Sequence, residues 1–255
     1  MNERVVSGRL SIIGLGPGDE TYLTQQARDA LREAQDVIGY APYVARVPVT
    51  PGQTRIESDN RVELQRAKEA LERAAAGRKV AVVSGGDPGI FAMAAAVFEA
   101  IETGDPAWRE LDIEVAPGIS AMQAAAARVG APLGHDFCVI SLSDNLKPWD
   151  VIEKRLEHAA RGDFVIALYN PASRARPQRI HDAFALLRRV LAPERLVVFA
   201  KSVGRVEEDI IVSTLDEADP NEVDMTTLVL IGSSGTRLLP RADARPWVYT
   251  SRKAP

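Results

Sequence analysis

Three glycine-rich segments carry the residue types that could handle a small molecule: Gly14-Leu15-Gly16-Pro17-Gly18-Asp19, Ser84-Gly85-Gly86-Asp87-Pro88-Gly89-Ile90 and Ala116-Pro117-Gly118-Ile119-Ser120-Ala121. Glycine turns through positive φ and lets a ligand approach the main chain, while proline fixes its neighbours. Each segment follows an apolar run rich in β-branched residues and leads into a helical pattern, so all three are expected at parallel strand ends around one ligand crevice. The first resembles the opening of a dinucleotide fingerprint, but Asp19 stands where G-x-G-x-x-G needs its last glycine, and no Gly-Lys-Ser/Thr follows. A carboxylate at a helix mouth caps the amides that a phosphate would use, so phosphate is not expected there. In the second segment Pro88 keeps Asp87 extended beside two bare glycines, which suits a polar, cation-bearing small molecule or a purely structural turn. The third offers the Ser120 hydroxyl and nearby amides, as ligand donors or as a plain N-cap.

Other charged side chains cluster at Arg174, Arg176 and Arg179, with Lys201 and Arg205 after a later strand pattern; alone they read as a solvated helix start. Histidines 135, 158 and 181 are scattered without ligand spacing, and the single Cys138 sits inside a strand pattern, so no metal site and no disulfide is expected. Without paired cysteines nothing points to an oxidising compartment, and a reducing cytoplasm fits. A net charge of −4 argues against a general nucleic-acid binder. Residues 1–9 show no apolar signal-peptide core, and the apolar stretch from Gly89 to Phe98 falls well short of the roughly 20 residues of a membrane helix.

The elements that must position these residues alternate. Leu10–Ile13, Val37–Ile38, Val80–Val83 and Ile113–Val115 read as strands buried on both faces, separated by helical patterns over Thr21–Ala34 and Asp59–Ala76, with Asp59 as N-cap and Gly77 as stop. That alternation implies a mainly parallel sheet over residues 1–116. Over 117–255 the texture changes. Phe137–Ser141, Phe164–Tyr169, Leu196–Ala200, Ile210–Val212 and Leu228–Ile231 read as strands, the last three too close together for helical crossovers, so a second domain with a mixed sheet is expected. Helices fit Ile119–Val129, Pro148–Ala160 and Pro177–Val190, with proline in the first turn of the latter two.

The ordered set GLGPGD, SGGDPGIF and APGISA resembles the S-adenosylmethionine methyltransferases that act on tetrapyrroles, over essentially the whole chain. Ser141-Leu142-Ser143-Asp144, Pro148-Trp149, Ala167-Leu168-Tyr169-Asn170-Pro171 and Lys201-Ser202-Val203-Gly204-Arg205 narrow the resemblance to the ring-contracting C(17) branch of cobalamin biosynthesis. It implies two α/β/α domains with the cofactor in the cleft between them, a homodimer, and no metal for methyl transfer. The implied reaction moves a methyl group to carbon 17 of precorrin-3B, contracts the ring, and leaves precorrin-4 and S-adenosylhomocysteine. By motif, the cofactor neighbourhood is Pro17, Gly85, Gly86, Asp87, Ile90, Ser120, Ala121, Tyr169, Asn170 and the backbone near Thr227 and Leu228. Asp19, Arg174, Arg176, Arg179 and Arg205 fall to the carboxylate-rich substrate. Ring contraction calls for a proton acceptor, for which Asp144 is the first candidate, with a turn or cap role as its alternative. Lys201 is the second, as an electrostatic partner. Within this fold the nearest alternative is the cobalt-containing analogue of the substrate; outside it, a nicotinamide dehydrogenase, which lacks its sixth-position glycine here.

Overall fold

The computed structural model describes residues 8–59, 62–173, 176–242 and 244–253. The chain forms two compact units, Met1–Ser120 and Ala121–Pro255.

The first unit runs β1 (Arg9–Gly14), α1 (Gln25–Glu33), β2 (Asp36–Tyr40), α2 (Ala41–Val44), β3 (Thr54–Ser58), α3 (Glu63–Ala75), β4 (Lys79–Ser84), α4 (Met93–Thr103) and β5 (Asp112–Ala116). Its sheet has the order β3-β2-β4-β1-β5 with every pairing parallel, as the alternating pattern predicts. Leu10, Ile12, Ile38, Val80 and Val82 pack against α3 and α4, while Ile13, Val37, Ala81 and Val83 pack against α1 and α2, so each central strand needs apolar residues on both faces. The helix expected over Thr21–Ala34 is divided. A 3-10 turn at Glu20–Tyr22 is capped by Asp19, and α1 starts afresh behind Thr24, whose hydroxyl accepts from Ala27 N at 3.1 Å. Asp59 is not the cap of α3, which begins behind Val62 with no side-chain cap; the Asp59 carbonyl instead accepts from Arg66 at 2.5 Å. Gly77 does end α3, at φ +87°.

The second unit contains α5 (Ala121–Val129), β6 (Gly130–Ala131), β7 (Phe137–Ser141), α6 (Trp149–Arg161), β8 (Val165–Tyr169), α7 (Arg179–Val190), β9 (Leu196–Lys201), β10 (Asp209–Thr214), β11 (Thr227–Ile231), β12 (Thr236–Leu239) and β13 (Trp247–Thr250). The main sheet, β10-β9-β11-β8-β7, is mixed: β7 and β8 are parallel, and β11 runs against both β8 and β9. Strands β7, β8 and β9 therefore point the same way. Their carboxyl ends, with the first residue of β11 and of β10, form one edge. The register sets Asp209 beside Lys201, Lys201 beside Thr227, and Tyr169 beside Ser141. One face of the sheet is sealed by α6 and α7 through Ile152, Leu156, Ile180, Phe184 and Leu187, all fully buried or nearly so. A smaller sheet, β12-β13-β6, was not expected from the sequence. Among the described residues no helix is long and apolar enough to cross a membrane.

Candidate active site

In the first unit the chain leaves β1 toward α1 on one face of the sheet and leaves β4 toward α4 on the other. Since β1 and β4 are neighbours, their carboxyl ends make a topological switch point, the usual ligand crevice of an open α/β sheet. The two loops that part there are laced together. Leu15 N donates to Ser84 O at 2.9 Å, Gly16 N to Gly86 O at 3.1 Å, and Gly86 N to Gly16 O at 2.9 Å, with Gly16 and Gly86 at φ +68° and +67°. A methyl group at Gly118 would stand 2.2 Å from Gly86 O, and one at Gly14 would stand 2.6 Å from the same oxygen. Glycines 14, 86 and 118 thus meet main chain to main chain. A side chain at Gly85 would lie 2.8 Å from the Tyr43 ring. These glycines were expected to admit a ligand; their neighbours at 14, 85 and 118 are protein.

Asp87 ties the second loop to the third: Oδ1 accepts from Gly89 N at 2.8 Å and Oδ2 from Gly118 N at 3.0 Å. Ser84 Oγ accepts from Met93 N at 3.3 Å at the start of α4. Pro17 and Ser120 are buried, while Ile90 and Ala121 are half-buried. Asp19 lies on the surface, where the Thr21 hydroxyl, at 2.5 Å, and the Thr21 amide hold its carboxyl below the ordinary carboxylate range. Its first role is therefore the cap inferred from the failed dinucleotide pattern.

Sequence reasoning missed Arg46. One of its guanidinium nitrogens donates to three carbonyls of the first glycine loop, Leu15 at 3.2 Å, Gly16 at 2.7 Å and Gly18 at 2.6 Å. A cavity of about 230 Å³ opens beside it, lined by Leu15, Gly18, Asp19, Glu20, Leu23 and Arg46. The only trace in the sequence is a lone cation in the apolar run Tyr43-Val44-Ala45-Arg46-Val47.

In the second unit the motifs around residues 141, 149 and 169 converge on one edge. The Tyr169 hydroxyl accepts from Met122 N at 3.0 Å, satisfying an orphan amide in the first turn of α5. Asn170 turns through φ +51°, a region asparagine tolerates, and its side-chain amide donates to Ser141 Oγ at 3.0 Å. Leu142 N donates to Tyr169 O at 2.9 Å, so the loops after β7 and β8 are stitched to each other. Asp144 sits between two of the expected substrate arginines, 2.7 Å from Arg179 and 3.4 Å from Arg176. Burial would raise its carboxyl, but the Arg179 hydrogen bond and the two guanidinium charges outweigh burial and leave it below the usual range. Arg179 also pairs with Asp182 at 3.1 Å and lies over the Trp149 ring, 4.7 Å from its centroid. Asp144 is consequently a weak base at neutral pH and a firm anchor for arginines. Arg174 lies outside the described residues.

Lys201 pairs with Asp224 at 2.7 Å, which raises the ammonium above its ordinary value. Burial pushes the Asp224 carboxyl up, but Lys201 and the Thr226 hydroxyl and amide bring it down to about 2. Thr227 and Leu228 are buried, and the Thr227 hydroxyl accepts from Asp224 N at 3.1 Å. Arg205 is exposed on the β9–β10 turn. Cys138 packs in β7, and burial lifts its thiol to about 11, which disfavours the thiolate.

Residues 9–219 match the tetrapyrrole (corrin/porphyrin) methylases. The chain is a tetrapyrrole methylase. Among relatives of this methylase, the precorrin-3B C(17)-methyltransferase of a Sinorhizobium species is 53% identical over 247 residues, 97% of each chain. The probable cobalt-factor III C(17)-methyltransferase of Salmonella typhimurium is 42% identical, covering 94% of this chain and 99% of that one. The crystal structure of the methyltransferase CobJ superimposes with a TM-score of 0.91 at 52% identity, over 96% of this chain and all of that chain. The methyl donor of such methylases is S-adenosylmethionine, and the chemistry of the donor set suits it. The three glycine loops carry two carboxylates, Asp19 and Asp87, and no lysine or arginine, as a sulfonium cation without phosphates requires. Exposed Phe91 and Ile119 supply apolar surface on those same loops.

Proposed function

We propose that this methylase acts on precorrin-3B, methylating carbon 17 and contracting the macrocycle to give precorrin-4 and S-adenosylhomocysteine. The observation that carries this reading is the 53% identity, over 97% of both chains, to a precorrin-3B C(17)-methyltransferase. The bound donor supplies an already activated methyl group, so the protein's task is alignment and exclusion of water. Residues of the first unit given to the cofactor are Pro17, Gly85, Gly86, Asp87, Ile90, Ser120 and Ala121; those of the second are Tyr169, Asn170 and the main chain at Thr227 and Leu228. Their anchoring supports the assignment: Asp87 accepts from two loop amides and the Tyr169 hydroxyl from one.

Substrate carboxylates fall to Arg176, Arg179 and Arg205, with Asp144 positioning the first two and Asp19 at the lip of the first loop. Arg176 and Arg179 keep further N–H donors beyond those aimed at Asp144, so they can serve the ligand while anchored. Held as a carboxylate between Arg176 and Arg179, Asp144 is in the form that accepts a proton and is the first candidate acceptor for the one released in ring contraction. Lys201 is the second candidate, as an electrostatic partner: an ammonium at the carboxyl end of β9 held in place by the Asp224 carboxylate. The enzyme works as a homodimer in the cytoplasm.

The 42% identity to a probable cobalt-factor III enzyme gives a second reading, the same reaction on the cobalt-containing substrate. Mass spectrometry of an anaerobic reaction with methyl-labelled S-adenosylmethionine decides between them. Label in a ring-contracted product from metal-free precorrin-3B supports the first reading; turnover of cobalt-factor III alone replaces it with the second, and transfer to neither removes both.

A further inference from the structure

Two apolar side chains at the functional edge of the second unit are held almost entirely in water. Leu146, in the loop after β7, is 98% exposed, and Val206, in the β9–β10 turn, is 99% exposed. Neither loop is slack. The first is pinned by Leu142 N to Tyr169 O and by Asp144 to Arg176 and Arg179. In the second, Glu208 takes Gly204 N at 2.7 Å and Arg128 at 2.8 Å, while Arg205 N donates to Ser202 O at 3.0 Å and Ser202 turns through φ +48°. Each tip is aimed outward by a built scaffold, and a single exposed leucine on an anchored loop gains nothing within its own unit.

The two tips flank the edge. From β7 across β8 and β11 to β9 is three strand spacings, roughly 14 Å, comparable to the width of a tetrapyrrole with its arms. Each apolar tip has a cation next to it in sequence, Lys147 beside Leu146 and Arg205 beside Val206, and between them lie Arg176, in the loop after β8, and Arg179, the first residue of α7. Apolar contacts alternating with cations complement a largely apolar macrocycle bearing carboxylates around its rim. We propose that Leu146 and Val206 are substrate-binding residues that pack on the apolar face of the macrocycle; this rests on the tetrapyrrole reading above.

Both side chains are solvated, so Leu146→Ser, Val206→Ser and the double variant fold as the parent does, and melting temperatures check this. Under anaerobic turnover of precorrin-3B, each single variant is expected to raise KM about tenfold, and the double variant about a hundredfold because the sites are separate. Affinity for S-adenosylhomocysteine by calorimetry and kcat stay within about twofold, and Leu146→Met and Val206→Ile restore KM. Unchanged KM in the double variant overturns the proposal, as does unchanged KM with a dimer that dissociates in sedimentation velocity, which assigns the tips to a second copy. If the parent does not turn over precorrin-3B, the functional reading fails separately, and fluorescence titration with coproporphyrin III decides this one. Weaker porphyrin binding in the variants supports it; equal binding, or no binding by the parent, overturns it.

Discussion

Replacing Arg46 by methionine removes a cation on which three carbonyl oxygens converge, two of them within 2.7 Å. Hydrogen bonds to a charged group contribute about 1.5–3 kcal/mol each, so the two short ones set a gross loss of about 3–6 kcal/mol. The adjoining cavity of about 230 Å³ can bring water to the abandoned carbonyls, which returns part of that sum. A net loss of about 2–3 kcal/mol follows, and for a chain of this size it corresponds to a fall of about 4–10 °C in melting temperature. Arg46→Lys keeps a charged donor but loses the fork, and should recover about half. Urea denaturation of both variants, with hydrogen exchange of the Leu15–Asp19 amides, measures the effect. A methionine variant within about 0.5 kcal/mol of the parent, with unchanged exchange in that loop, would refute the idea that Arg46 holds it.

Three further outcomes test other parts of the structure. Gly118→Ala brings a methyl group into Gly86 O and should destabilise by at least about 1–3 kcal/mol, while weakening S-adenosylhomocysteine binding as measured by calorimetry; an unperturbed variant contradicts the main-chain contact. Asp36→Asn removes the buried carboxylate that Arg78 binds at 2.5 Å and Arg73 approaches at 3.5 Å, and should lower stability measurably in denaturation. The Arg78 hydrogen bond, against the opposing effect of burial, holds the Asp36 carboxyl below its ordinary 3.8, so its contribution is complete above that pH and disappears as pH falls through the lowered value; the asparagine variant should show a flatter stability profile on acidification. Tyr169→Phe uncaps Met122 N and should cost about 1 kcal/mol, read from the stability of the folded chain.

The sequence showed best what depends on near neighbours. The mostly continuous apolar runs of β1 and β4 marked central strands because their side chains meet helices on both faces. By contrast β3, Thr-Arg-Ile-Glu-Ser, is an edge strand with mostly half-exposed residues and no apolar run, so it escaped notice. The helix expected from Thr21 divides because Asp19 and Thr24 each cap a separate start, and two caps so close together read as one amphipathic segment. The glycine loops were recognisable as a set, yet why those positions are glycine was not: Gly14, Gly86 and Gly118 answer to one another across the sheet. The same holds for Asp144, whose lowered proton affinity depends on Arg176 and Arg179, which lie beyond the next strand.

The contact among those three glycines has a consequence for how such a methylase can diversify. Because the main chain of Gly86 occupies the space that a side chain at Gly14 or Gly118 would need, and Gly86 itself turns through φ +67°, none of the three can change alone, and a compensating change would have to be a second glycine that is already present. The floor of the loops is thus frozen as a unit. New ligand preferences must be written in the positions around it, such as Asp19, Ile90, Phe91 and Ile119, whose side chains leave that junction and can vary without prying the loops apart.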